Sequence, residues 1–343
     1  INIDLTPIIF KMNSRRQLLV KLLSAIPFSL SLQTKGQILA VRRSVMDQTW
    51  FDSQRQRNVP VRLRWPDENR FTGPWPVVIF SHGLGGTREG GSVWGEAWVD
   101  AGFVVVHVQH TGSDLNAVRG VTKTFTDQRA LRTLATPEQL MARLMDVSFV
   151  LNEIEKRHSA KQDLWHLARP AQVGLAGHSF GAHTTMGMAG QRYPGFDGIS
   201  EPRLASFIAF SPTVPMVGSA QRAFERLSRP LLSITGTRDS DVVGVGATPE
   251  KRKAVFAALP SGDKAHLVLM DADHMTFAGQ VGSAAEIVPR ESITRELQAE
   301  HHAHVATITT DWWRATLQDD SQARSRLEAP KTLGVGDLWQ VKK

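Results

Sequence analysis

The feature that most constrains this chain is an alternation of short apolar runs with helical patterns. Residues 76–81, 103–108, 171–176, 206–211, 230–235 and 265–270 are apolar, several of them rich in β-branched side chains. Their length and their flanking turn residues suit strands buried on both faces. Helical periodicity fills the gaps at 89–101, 137–157, 180–190, 249–259 and 298–317. Strand alternating with helix predicts an α/β chain with a mainly parallel central sheet and helices on both faces. An alternating segment at 59–65 adds a half-buried strand, ended by a Pro- and Gly-rich stretch. The connections at 111–136 and 275–297 are too long for simple turns, so they are expected to line a binding site.

Composition narrows the function classes. The chain has 343 residues, 41% apolar and 21% charged, with no cysteine. That excludes disulfides, thiol nucleophiles and thiolate metal sites. The formal charge of +7 invites a nucleic-acid reading, but residues 1–35 carry a net +4, leaving an ordinary +3 for the remainder. No basic stripe interleaved with aromatics is present, so no nucleic-acid partner is expected. Within 1–35, Met12-Asn13-Ser14-Arg15-Arg16 opens a moderately apolar run through Leu32. The segment resembles a twin-arginine export signal, with Met12 as the natural start. The expected organisation is a leader over 1–35 and a single catalytic domain over 36–343. The expected location is periplasmic or secreted, with a cytoplasmic protein as the alternative. No segment reaches 18 apolar residues, so no integral membrane span is expected.

Gly177-His178-Ser179-Phe180-Gly181 fits the G-x-S-x-G pattern, which alone is weak. Its context is stronger: 173–176 reads as a buried strand and 182–189 as a helix of small residues, the strand-turn-helix of a nucleophile elbow in the α/β-hydrolase fold. The tight turn leaves no room for side chains two residues either side of Ser179, which explains both glycines. The helix start beneath Ser179 favours developing negative charge. An oxyanion needs two preorganised N–H donors. The expected pair is Phe180, next to the nucleophile, and Leu84 in His82-Gly83-Leu84-Gly85-Gly86 after the strand at 76–81. His82 and His178 are read as packed supports for these loops.

In this fold the acid and the base follow the nucleophile at strand ends, in that order. His274, closing Asp271-Ala272-Asp273-His274, is the expected base; His266 lies at the wrong end of its strand. His301, His302 and His304 lack the H-E-x-x-H zinc pattern and are read as a solvated helix face. Asp239 is the first carboxylate beyond its strand and the expected acid, with Asp241 its rival. Asp271 and Asp273 are read as loop residues. No metal and no cofactor is expected. Phe277 and Phe180 are expected to wall the acyl pocket.

Four stretches together carry a family resemblance: 80–85, 102–110 (Gly102-Phe103-Val104-Val105-Val106-His107-Val108-Gln109-His110), 177–181 and 273–277. The chain resembles the bacterial relatives of plasma-type platelet-activating-factor acetylhydrolase and of dienelactone hydrolase, over most of 48–320. The resemblance implies the same oxyanion donors and hydrolysis of short-chain or oxidised acyl esters. It departs at one point. The acetylhydrolase carries its acid after the sixth strand, where this chain reads Phe210-Ser211-Pro212. An acid at Asp239 is similar instead to dienelactone hydrolases and cutinase-like polyester hydrolases. The expected activity is therefore a serine carboxylic ester hydrolase acting through an acyl-enzyme on a small-molecule ester. The alternatives are a polymeric ester substrate and, outside this class, a non-catalytic binding protein on the same fold. The oligomeric state is not legible.

Overall fold

The computed structural model describes residues 44–343; the expected leader, with Met12, Arg15 and Arg16, lies outside them. Among the described residues nine strands form one sheet: β1 (Ser44–Asp52), β2 (Arg57–Trp65), β3 (Trp75–Ser81), β4 (Val104–Val108), β5 (Ala168–His178), β6 (Leu204–Phe210), β7 (Leu231–Arg238), β8 (Lys264–Asp273) and β9 (Leu338–Lys342). Their order is β1-β2-β4-β3-β5-β6-β7-β8-β9. The six from β4 to β8 run parallel. β1 and β2 at one edge and β9 at the other are antiparallel.

The sequence patterns explain these elements. Every residue of β3 and β4 is buried, because a parallel strand covered on both faces alternates between two cores rather than between core and water. Val77 and Ile79 of β3 join one apolar cluster, and Val78 and Phe80 join the other. The helices supply the two covers. They are α1 (Ser92–Asp100), α2 (Leu115–Val121), α3 (Gln128–Arg132), α4 (Pro137–Ser159), α5 (Phe180–Met188), α6 (Ala220–Phe224), α7 (Pro249–Ala258), α8 (Ser292–Glu296), α9 (Gln298–Leu317) and α10 (Ser321–Glu328). Leu144, Val147, Val150, Leu151 and Ile154 of α4 pack on one face, while Trp94 and Trp98 of α1 meet Val305, Ile308, Trp312 and Trp313 of α9 on the other. α4 starts where Thr136 accepts from the Gln139 amide and Pro137 takes the first turn, and it ends in Lys156, Arg157 and His158, each suited to its end of the helix dipole.

Two strands were not legible. β1 and β9 are edge strands paired on one side, and their mixed, partly exposed sequences carry no continuous apolar run. The three-histidine reading on α9 is corrected. His301 and His302 are buried, and His302 Nε2 bonds the Thr276 carbonyl at 3.1 Å. His301 belongs to the stripe His301, Val305, Ile308, Trp312 that faces the sheet, at the spacing of a buried helical face, and His302 packs edge-on against Trp94.

Ser81 lies beside Gly177, and His178 beside Phe210. The carboxyl ends of β3, β5, β6, β7 and β8 therefore finish together, the edge where ligands of such sheets bind. Among the described residues no helix is long and apolar enough to cross a membrane.

Candidate active site

β5 ends at His178, and α5 begins at Phe180; Ser179 makes the whole turn alone, at φ 57° and ψ −113°. This is left-handed backbone that a side chain tolerates only under constraint. The constraint is visible: the Ser179 amide bonds the Phe210 carbonyl at 2.9 Å, and Ala182 and His183 amides bond the Ser179 carbonyl. A Cβ on Gly181 would overlap the Ser81 carbonyl, and one on Gly177 would overlap the Gly181 carbonyl. The two glycines let α5 start directly against β3 and β5.

His274 opens a short 3-10 turn (His274–Ala278) after β8, and Asp239 follows β7. Asp239 Oδ1 lies 2.7 Å from His274 Nδ1, and both side chains are buried. A carboxylate can only accept, so Nδ1 carries a proton, and in the neutral ring Nε2 is the accepting nitrogen. Asp239 Oδ2 accepts from Thr235 Oγ1 at 2.8 Å, and Arg252 Nε stands 3.0 Å from Oδ1. Burial pushes the Asp239 carboxyl up, but the Arg252 charge and the His274 bond outweigh it and hold the group well below the carboxylate range. Arg252 also donates to the Ser211 carbonyl at the end of β6.

The neighbouring carboxylates are used elsewhere. Asp241 accepts the amides of Val243, Gly244 and Gly246, which is a loop-closing role. Asp273 caps the 3-10 turn through Thr276 and pairs with Arg290 at 2.7 Å, and Asp271 pairs with Arg238.

Across the cleft, the amides of Gly85 and Gly86 are committed to the Ser113 and Gly83 carbonyls, whereas among the described residues neither Leu84 N–H nor Phe180 N–H is matched with an acceptor. His82 takes its neighbour's carbonyl, Gly83 O, through Nδ1 at 2.6 Å and accepts the His110 amide at Nε2. Burial, then the nearby Arg143 charge, holds it neutral, well below the usual histidine range. His178 Nε2 bonds the His274 carbonyl at 2.9 Å. Both histidines brace loops, one on each side of Ser179.

Residues 36–162 match the family of platelet-activating factor acetylhydrolase, isoform II. The fold is the α/β-hydrolase fold, in keeping with that match. The acetylhydrolase match supports a serine ester hydrolase in general. Its span holds the His82–Gly86 loop and α4 but ends before Ser179, Asp239 and His274. No curated protein matches the chain.

Two lobes of one cleft meet at Ser179. The larger, about 740 Å³, is lined by Phe180, Leu140, Met141, Tyr193, Val214 and Val245 among others. The smaller, about 480 Å³, is lined by Leu115, Val118, Phe125, Met275 and Ile287 among others. Ser179, His274, Leu84, Val242 and Val243 border both. The connections at 111–136 and 275–297 line the smaller lobe, while the walls of the larger at 191–196, 212–219 and 241–247 gave no signal in the sequence. Phe180 lines the larger lobe, but the expectation for Phe277 is corrected. Phe277 is fully buried in the α1/α9 cluster and borders neither lobe. The 3-10 turn sends its side chain under the sheet and leaves Met275 at the cleft. Two buried arginines, Arg143 and Arg252, were also missed, because a helical arginine in a sequence reads as solvated. Among the described residues no three His, Asp or Glu side chains group as metal ligands would.

Proposed function

We propose that this chain is a carboxylic ester hydrolase with Ser179 as nucleophile, His274 as general base and Asp239 as the acid that orients it. The observation that carries the reading is the buried 2.7 Å bond from His274 Nδ1 to Asp239, which makes Nε2 the accepting nitrogen of the neutral ring, on a residue that borders the same cleft as Ser179. His274 takes the Ser179 hydroxyl proton as Oγ attacks the ester carbon, and the Leu84 and Phe180 amides receive the carbonyl oxygen as it becomes an oxyanion. Collapse breaks the ester C–O bond, and His274 returns the proton to the leaving alkoxide. A water molecule, deprotonated in turn by His274, then hydrolyses the acyl-serine and regenerates the enzyme.

The family resemblance favours short acyl chains. The cleft favours a second reading, since a 740 Å³ lobe on one flank of Ser179 and a 480 Å³ lobe on the other exceed what an acetyl ester fills. An ester with a bulky group on each side, as inside a polymer, uses both. The test pairs an organophosphonate probe with a substrate series. Mass spectrometry should find the label on Ser179 alone, and Ser179→Ala should lose labelling and turnover; label on another serine overturns the assignment. p-Nitrophenyl esters of increasing acyl length, run beside a polyester film, decide between the two substrate readings.

A further inference from the structure

Arg143, on α4, has no exposed surface, and among the described residues no carboxylate stands within ion-pairing distance of it. Its donors go to the two loops of the oxyanion side instead. Nη1 donates to the His82 carbonyl at 2.7 Å, and Nη2 reaches the Gly83 carbonyl at 3.4 Å and the Ser113 carbonyl at 3.3 Å. Nε donates to Ser113 Oγ at 2.8 Å. The guanidinium carbon sits 4.3 Å over the Phe180 ring, so one side chain touches both segments that would supply oxyanion donors.

Peptide geometry turns these contacts into a direction. Gly83 C=O and Leu84 N–H belong to one planar trans peptide and point opposite ways. The Gly83 oxygen is held by Arg143, by His82 Nδ1 and by the Gly86 amide. The Leu84 N–H is thereby aimed away from α4, and Leu84 borders the cleft that Ser179 also lines. Gly83 itself lies against the nucleophile, since a Cβ there would stand 3.4 Å from Ser179 Cβ. A hydrophobic residue in place of Arg143 could fill the space but would leave that peptide plane to His82 and the Gly86 amide, with the His82 and Ser113 carbonyls released on either side of it.

We propose that Arg143 is a positioning residue for the oxyanion hole, setting the direction of the Leu84 amide and fixing Phe180 by stacking, with its charge adding to the field at the developing oxyanion. The proposal rests on the ester hydrolase reading. It acts on the transition state and leaves the ground-state complex alone.

The experiment compares the full chain with Arg143→Met and Arg143→Lys for kcat, KM, affinity for a trifluoromethyl ketone that adds to serine as a tetrahedral adduct, and affinity for a non-hydrolysable ether analogue. Loss of one oxyanion donor costs about 100- to 1,000-fold in kcat in comparable sites. Arg143→Met is expected to fall in that range, with KM and ether affinity nearly unchanged and ketone affinity lost in parallel with kcat/KM. Arg143→Lys should recover part of the loss. Equal losses for ketone and ether, or an unchanged kcat, overturn the proposal. Should Arg143→Met fail to fold, Arg143→Lys and Ser113→Ala decide, Ser113→Ala removing the Nε acceptor together with the hydroxyl's own 3.3 Å bond to the His110 carbonyl; an unchanged kcat in both overturns it. A wild-type protein that neither takes up phosphonate nor hydrolyses esters defeats the underlying reading instead, whereas an active wild type with insensitive variants defeats only the role of Arg143.

Discussion

The two halves of the cleft each contain a buried arginine, used in opposite ways. On the β3 and β5 side Arg143 meets carbonyls, a hydroxyl and an aromatic face, and burial pushes it down to about 9. On the β7 and β8 side Arg252 meets the Asp239 carboxylate, the Asp239 and Ser211 carbonyls and the edge of His274. The first shapes backbone amides; the second keeps a buried carboxylate charged. A buried cation can thus serve a site through geometry or through charge, and its partners tell which.

The comparison breaks most visibly at the carboxylate. Asp239→Asn should lower kcat by about 10,000-fold, because an amide no longer selects the Nδ1–H tautomer of His274, while Asp241→Asn, whose carboxylate bonds only amides of its own loop, should lose far less. The reverse order in steady-state kinetics would move the acid to Asp241. Next in size, Arg252→Met leaves Asp239 without its cation and should destabilise the fold by about 3–5 kcal/mol, as when one partner of a buried pair is removed; denaturant titration measures it. A loss below about 1 kcal/mol would show that Arg252 acts by geometry, as Arg143 does.

Phe277→Ala sharpens the account of the second half, where a residue within the turn that His274 opens is core. It should cost about 3–5 kcal/mol and leave the acyl-length preference unchanged, read from melting curves and the ester series. The smallest effect is the pH response of the first half. Burial lowers His110 to about 4, with Arg143 adding to the shift. The unfolded chain takes that proton below about 6.5 and the folded chain only below about 4, so stability falls as pH drops through this window, by up to about 1.4 kcal/mol per pH unit for this one group. His110→Asn should lessen the slope between pH 6.5 and 4 in urea titrations; an unchanged slope would remove His110 from the explanation.

Much of this was legible because the physics is local. Valine-rich runs announce strands covered on both faces, and the Gly177-to-Gly181 spacing announces a turn that admits no Cβ. The order of Ser179, Asp239 and His274 along the chain follows from where strand ends emerge. What was hidden depends on contacts far apart in sequence. Arg143 lies 60 residues from Gly83, and nothing in helical periodicity separates it from a surface arginine. Phe277 misled because nearness to His274 in sequence says nothing of direction once a 3-10 turn intervenes. The stripe through His301 on α9 was present in the sequence, but the polar label of histidine outweighed its spacing.

Gly181 and Ser179 sit two residues apart, yet they would separate in a library that scores every substitution twice, once for the amount of folded protein and once for turnover. Under the proposed mechanism Ser179 would tolerate small replacements in the first score and none in the second, since its side chain would be the nucleophile. Gly181 would tolerate nothing in either, because any Cβ meets the Ser81 carbonyl. Invariance at the two positions would look alike in a lineage under selection for activity, and only the abundance score would reveal that one residue is kept for what it does and the other for what it leaves empty.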